Sequence, residues 1–135
     1  MNEKELCKEA IDAMKNAYAP YSGYKVGAAL LTEKGKLFAG CNIENAAYTP
    51  TVCAERVALF NAISSGERNF TAIAVAGGKD GVISGAFPPC GVCRQVMAEF
   101  CAHDFTVLVV TGEDSYKKYT LNELFPQAFT PKYIE

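Results

Sequence analysis

The 135-residue sequence predicts an α/β protein: a three-layer α/β/α arrangement around a central mixed five-stranded sheet. Three observations carry this. Apolar residues near the N-terminus recur at helical spacing. Two apolar stretches then flank a four-residue turn. Beyond that hairpin, helical and β-branched stretches alternate, an order that gives parallel strands with helices packed on the sheet faces.

Each element has its own signal. Leu6, Ala10, Ile11, Met14, Ala17 and Tyr18 step by three and four, which predicts an amphipathic helix over 3–18, with Pro20 limiting its continuation. YKVGAALLT (24–32) reads as a buried strand, EKGK (33–36) as a turn, and 37–43 as its hairpin partner. Pro50 and Thr51 are start signals for a helix running to about Ser64. A β-branched run over 71–76 predicts a central strand, and 77–89 a long Gly- and Pro-rich loop of the kind that often carries function. A helix is expected from Cys90 to about His103, a buried strand over 105–111, an edge strand over 115–120 and a helical turn over 122–125.

Length and composition fit one domain spanning 1–135, with half the residues hydrophobic and 21% charged. The net charge of −2 and the lack of any basic run argue against a polyanion partner such as nucleic acid. The N-terminus MNEKELCKEA lacks the basic-then-apolar pattern of a signal peptide, and no stretch is long and apolar enough to span a bilayer. A cytoplasmic protein is expected. Its six cysteines are then core residues or metal ligands rather than a disulfide framework.

Cys90 and Cys93 stand three apart at a helix start and point the same way from its first turn. Cys53 lies in the first turn of the preceding helix, which follows a strand of the same sheet. The two helix starts can converge at one edge, and three thiolates there make a three-ligand zinc site with a fourth position open for water. Three thiolates on a divalent ion leave a net charge of −1. Helix N-termini offset this, and so would sulfur-directed hydrogen bonds from Arg56 or Arg94, with Arg56 ranked first. Glu55, two residues from Cys53, is placed to shuttle protons for a water activated at the metal.

These residues carry a family resemblance. CAER (53–56) and PCGVCRQ (89–95) resemble the two zinc signatures of cytidine deaminases, which in the general pattern read H-x-E and P-C-x-x-C. Cysteine in place of the first histidine, with arginine after the glutamate, is similar to the small homotetrameric members. YAPYS (18–22), VGAAL (26–30) and GCNIENAAY (40–48) match the same family, so the resemblance covers nearly the whole chain.

The resemblance implies a cytidine deaminase-like fold and one zinc ion per subunit, held by Cys53, Cys90 and Cys93. Glu55 would take a proton from the attacking water, pass it to ring nitrogen N3, and help protonate the departing amine. Asn42 and Glu44 would bind the ribose, chiefly its 3′-hydroxyl. The Ala54 amide would hold the pyrimidine, and the Pro88 carbonyl the amino group. Tyr24 stands where the family often has a phenylalanine lining the base pocket. Phe129 resembles an aromatic that reaches a neighbouring subunit's site, and Tyr48 a residue of that interface. The implied enzyme is a homotetramer with shared sites, acting on cytidine and deoxycytidine in pyrimidine salvage.

Other readings remain in competition. A lone C-x-x-C is often redox-active or half a structural zinc clip, but a redox pair belongs near the start of a β-α-β chain and no second C-x-x-C exists here. Cys41 and Cys101 sit in apolar runs and read as core, Cys7 as a first-helix residue without chemistry, and His103 as a solvated helix terminus. Within hydrolases the rivals are deaminases of guanine, blasticidin or a tRNA adenosine. Outside them, the rival is a non-catalytic zinc-stabilised binding module.

Overall fold

The computed structural model describes residues 1–135. The chain runs α1 (Glu3–Ala13), β1 (Tyr24–Thr32), β2 (Leu37–Cys41), α2 (Ala54–Ser64), β3 (Phe70–Lys79), α3 (Gly91–Phe100), β4 (Thr106–Gly112), β5 (Ser115–Thr120) and α4 (Leu121–Leu124), with 3₁₀ turns at Met14–Asn16 and Pro131–Tyr133. The five strands form one sheet in the order β2-β1-β3-β4-β5. Only β3 and β4 pair in parallel; the other neighbours are antiparallel. This is the mixed α/β/α architecture expected from the sequence.

Period-two alternation divides the core. Ala28, Leu30, Ile73, Val107 and Val109 face α2 and α3, packing with Ala58, Leu59 and Met97. Their chain neighbours Ala29, Ala72, Ala74, Leu108 and Val110 face α1, meeting Leu6, Ala10 and Met14. Leu59 is fully buried, and truncating such a leucine to alanine costs about 2–5 kcal/mol. β2 brings its backbone against α2 at Gly40, where a Cβ would lie 2.5 Å from the Ala54 carbonyl oxygen and the Ala58 nitrogen. That close approach fixes the start of α2 against the sheet.

Five expectations need correction. The first helix ends at Ala13 and tightens into a 3₁₀ turn, while Tyr18 pairs as a bridge with Ile43. The second strand stops at Cys41, and Ile43 bridges to Val52 instead. That bridge holds Val52 extended, so α2 starts at Ala54 rather than at Pro50 or Thr51, and Cys53 is its N-cap. The fourth correction concerns Gly77, Gly78 and Lys79, which extend β3 and pair with Val26, Lys25 and Tyr24. Gly78 serves close approach rather than looseness, since a Cβ there would lie 1.7 Å from the Val82 carbonyl oxygen. The α3 helix also ends early, at Phe100, leaving His103 exposed in the turn beyond it.

Candidate active site

Cys53 and Cys90 are the N-cap residues of α2 and α3, and neither side chain caps its helix. Their sulfurs are therefore free of local hydrogen bonds to the helix starts and lie at the positive ends of both helix dipoles. Cys93, one turn into α3, is fully buried. The Cys53 and Cys90 sulfurs are 3.7 Å apart, those of Cys90 and Cys93 3.5 Å, and all three lie within 4.8 Å of one another. Sulfurs on a tetrahedral zinc ion at about 2.3 Å would be about 3.8 Å apart. The donor set and its spacing fit that ion, and no histidine or fourth cysteine joins the group.

Of Cys53 and Cys93, Cys53 carries charge the more readily. A hydrogen bond from Cys93, then the Arg56 guanidinium and Cys90, pull its pKa down to about 5 against the opposing effect of burial. Cys93 is pushed up because its proton serves the Cys53 thiolate and because it is buried. A coordinated divalent ion removes this asymmetry by deprotonating its thiol ligands outright. Arg56 Nη2 donates to Cys53 Sγ at 3.5 Å. Arg94 turns elsewhere: its Nε donates to the Pro89 carbonyl at 2.7 Å, and its Nη1 to the Leu124 carbonyl. Of the two arginines, Arg56 is the one that meets sulfur.

Glu55 is the second residue of α2 and only 4% exposed. Burial, above all, pushes its pKa up to about 7, with the Cys53 charge adding to the rise. A carboxyl near neutrality both accepts and donates protons in working conditions.

A cleft of about 210 Å³ opens beside these groups. Its walls include Ala54, Glu55 and Pro88 as the sequence suggested. The Ala54 amide, first of its helix, has no intrahelical partner. Asn42 also lines the cleft, but its side chain is busy at the strand end: Oδ1 accepts from the Val26 amide and Nδ2 donates to the Tyr24 carbonyl, both at 2.8 Å. Those partners leave one amide hydrogen and one lone pair for a ligand.

Glu44 stands in an adjoining hollow with Tyr21, Ser22 and Tyr48, and Thr51 lines both hollows. One carboxylate oxygen accepts from the Tyr21 and Ser22 amides at 2.9 and 3.1 Å, and the other from the Ser22 hydroxyl. The Ser22 hydroxyl chiefly, then the two amides, hold the Glu44 carboxyl below its ordinary range.

Two expected site residues stand apart within the protomer. Tyr24 lines neither hollow. Phe129 is exposed and stacks on Tyr133, with ring centroids 5.7 Å apart and 16° between planes. Gln95 of α3 holds its carbonyl at 2.9 Å. Conversely, Phe87, Val26 and Val75 line the cleft without having been singled out. Strand alternation from Glu55's face of the sheet points to Val26 and Val75. Nothing local marks Phe87 except its place before Pro88.

Sulfur donors with no fourth protein ligand, beside a carboxyl poised for proton transfer, place the molecule among metal-assisted hydrolases. Comparison narrows that class. Residues 1–109 match the family model for the cytidine and deoxycytidylate deaminase zinc-binding region. The cytidine deaminase of Halalkalibacterium halodurans is 48% identical over 96% of both chains. That of Sporosarcina psychrophila is 45% identical, over 96% of this chain and 93% of its own. The crystal structure of the cytidine deaminase from Burkholderia pseudomallei superposes with a TM-score of 0.88 at 44% identity, covering 96% of this chain and all of that one. The chain belongs to the cytidine deaminase family.

Proposed function

We propose that the protein hydrolyses cytidine and deoxycytidine to uridine and deoxyuridine with release of ammonia, using one zinc ion per subunit held by Cys53, Cys90 and Cys93. The observation that carries this reading is the meeting of three sulfurs, at two converging helix starts, with the buried Glu55. Bound zinc supplies the Lewis acidity that makes a water nucleophilic near neutral pH.

The chain's own groups do the rest. Glu55 takes the proton released by the attacking water and delivers it to ring nitrogen N3 as the new carbon–oxygen bond forms. It then takes the second proton from the new hydroxyl and passes it to the amine as the carbon–nitrogen bond breaks, so that ammonia leaves and the carbonyl remains. Burial supports both directions of transfer by bringing Glu55 to about 7. The Ala54 amide and the Pro88 carbonyl orient the base, and Arg56 offsets the charge of the sulfurs. Glu44, held ionised by Ser22, and Asn42 receive the ribose hydroxyls, Glu44 through the oxygen that accepts only the Ser22 hydroxyl.

Tyr48 and Phe129 are large aromatic side chains left exposed on the isolated protomer. That supports a site completed by another copy of the chain: a homotetramer in which Phe129 of one protomer covers the cleft of the next, with Tyr48 at the same contact. Service in pyrimidine salvage in the cytoplasm belongs to the same proposal; no helix here is long and apolar enough to cross a membrane.

Purified protein offered cytidine, deoxycytidine, cytosine, deoxycytidine monophosphate, adenosine and guanine should release ammonia from the first two. Silence on both, or release from guanine or adenosine instead, would overturn the assignment.

A further inference from the structure

The cleft beside the cysteines has a single aromatic wall, Phe87; its other apolar side chains are aliphatic. Tyr24 stands behind that wall, its ring centroid 5.7 Å from that of Phe87 with 40° between the planes. Lys79 Nζ lies 5.1 Å from the Tyr24 centroid and donates to the Ser22 carbonyl at 3.0 Å. The Phe87 ring also rests on bare backbone of β3. A Cβ at Gly77 would come within 2.9 Å of its Cγ. Phe87 is thus held between a side-chain-free strand position and a second ring that is itself pinned by an ammonium.

A pyrimidine is a planar π system, and the partner it gains most from in an aliphatic cleft is a flat aromatic face. We propose that Phe87 is the face that receives the pyrimidine ring, and that Tyr24 and Lys79 are positioning residues behind it. The extension of β3 through Lys79 makes this possible. Pairing of Gly77, Gly78 and Lys79 with Val26, Lys25 and Tyr24 sets Tyr24 and Lys79 side by side. The same ammonium steadies the Ser22 carbonyl, and Ser22 in turn holds Glu44. Base wall and ribose loop therefore share one cation. This inference rests on the cytidine reading and adds a stacking face within the protomer to the Ala54 and Pro88 contacts proposed for its base.

The test compares Phe87→Ala, Phe87→Leu, Gly77→Ala, Tyr24→Ala and Tyr24→Phe for zinc content, for KM and kcat on cytidine, and for inhibition by uridine, which needs no turnover. Losing a base–aromatic stack should raise KM and the uridine inhibition constant about tenfold in Phe87→Ala, with kcat changed far less and zinc retained. Phe87→Leu keeps bulk without the π face and should fall between. Gly77→Ala displaces the ring and should shift KM in the same direction. Tyr24→Ala should raise KM about threefold, and Tyr24→Phe should restore most of that. A Phe87→Ala enzyme with wild-type KM and uridine inhibition, or a Tyr24→Ala loss larger than that of Phe87→Ala, would overturn the proposal. Wild-type protein that releases no ammonia from cytidine would overturn the reading of function as well. An active wild type with an indifferent Phe87 would remove this inference alone.

Discussion

At the proposed metal end of the cleft every sulfur is set by a helix start, whereas at the proposed nucleoside end the side chains come from strand ends and loops. Cys53 and Cys90 occupy the N-cap positions of α2 and α3 and Cys93 is fully buried. Glu44, Tyr48 and Phe129 lie on irregular chain, and the last two are 73% and 58% exposed. Helix starts docked on a sheet hold side chains to a narrow geometry. Loop groups depend on local hydrogen bonds, as Glu44 does on Ser22. The two ends should therefore respond differently to mutation: the metal end in whether the enzyme works at all, the nucleoside end in how well substrate is held.

The largest effect is expected from Cys93→Ala. It removes a buried sulfur, so metal analysis of the purified variant should find little zinc, and deamination should vanish. Retained zinc with normal turnover would show that the helix-set cluster is not the metal site. Next comes Arg56→Gln, which takes away the donor to Cys53. Zinc affinity, read by competition with a chromophoric chelator, should fall about 10- to 100-fold. An unchanged affinity would leave charge balance to the helix dipoles alone.

Glu44→Gln should spare zinc and most of kcat while raising KM about tenfold or more, the usual cost of a lost charge-assisted hydrogen bond. Its titration sharpens the comparison. The Ser22 hydroxyl holds the native Glu44 carboxyl below its ordinary value. The ionised, binding-competent form is thus present above that value and is lost only as pH falls through the lowered one. Glu44 should contribute no KM change between about pH 5 and about pH 8, and a KM step in that window that disappears in Glu44→Gln would contradict this.

The smallest effect belongs far from either end. Lys118 foremost, then Tyr116, hold the Glu3 carboxyl below its ordinary range. That linkage stabilises the fold above the unfolded value and fades as pH falls through the native one. Because the pair is exposed, Glu3→Gln should cost less than about 1 kcal/mol in thermal unfolding at neutral pH, with no effect on KM.

The same contrast explains what was legible in the sequence. The strand at 24–32 and the edge strand at 115–120 are found where their apolar and β-forming patterns put them. The cysteine spacing announced a cluster because i and i+3 at a helix start share a direction. The start of α2 was misplaced, since the Ile43–Val52 bridge that delays it is a long-range pairing with no local signature. Residues 77–79 looked like loop because glycine is read as punctuation, whereas Gly77 and Gly78 are there for close approach to Phe87 and Val82. Phe87 stayed invisible for the same reason. Its role depends on what packs behind it, Tyr24, which lies more than sixty positions earlier in the chain. Family resemblance singled out Tyr24, and only three-dimensional packing separates the ring in the cleft from the ring that supports it.

The most direct test of the central claim is a zinc titration of metal-stripped wild-type and Glu55→Gln protein, following bound metal and cytidine deamination together. The wild type should reach full activity at one zinc per chain. Glu55→Gln should bind the same zinc and turn over at least about a hundredfold more slowly. Activity that is independent of zinc, or a Glu55→Gln protein as fast as wild type, would contradict the account.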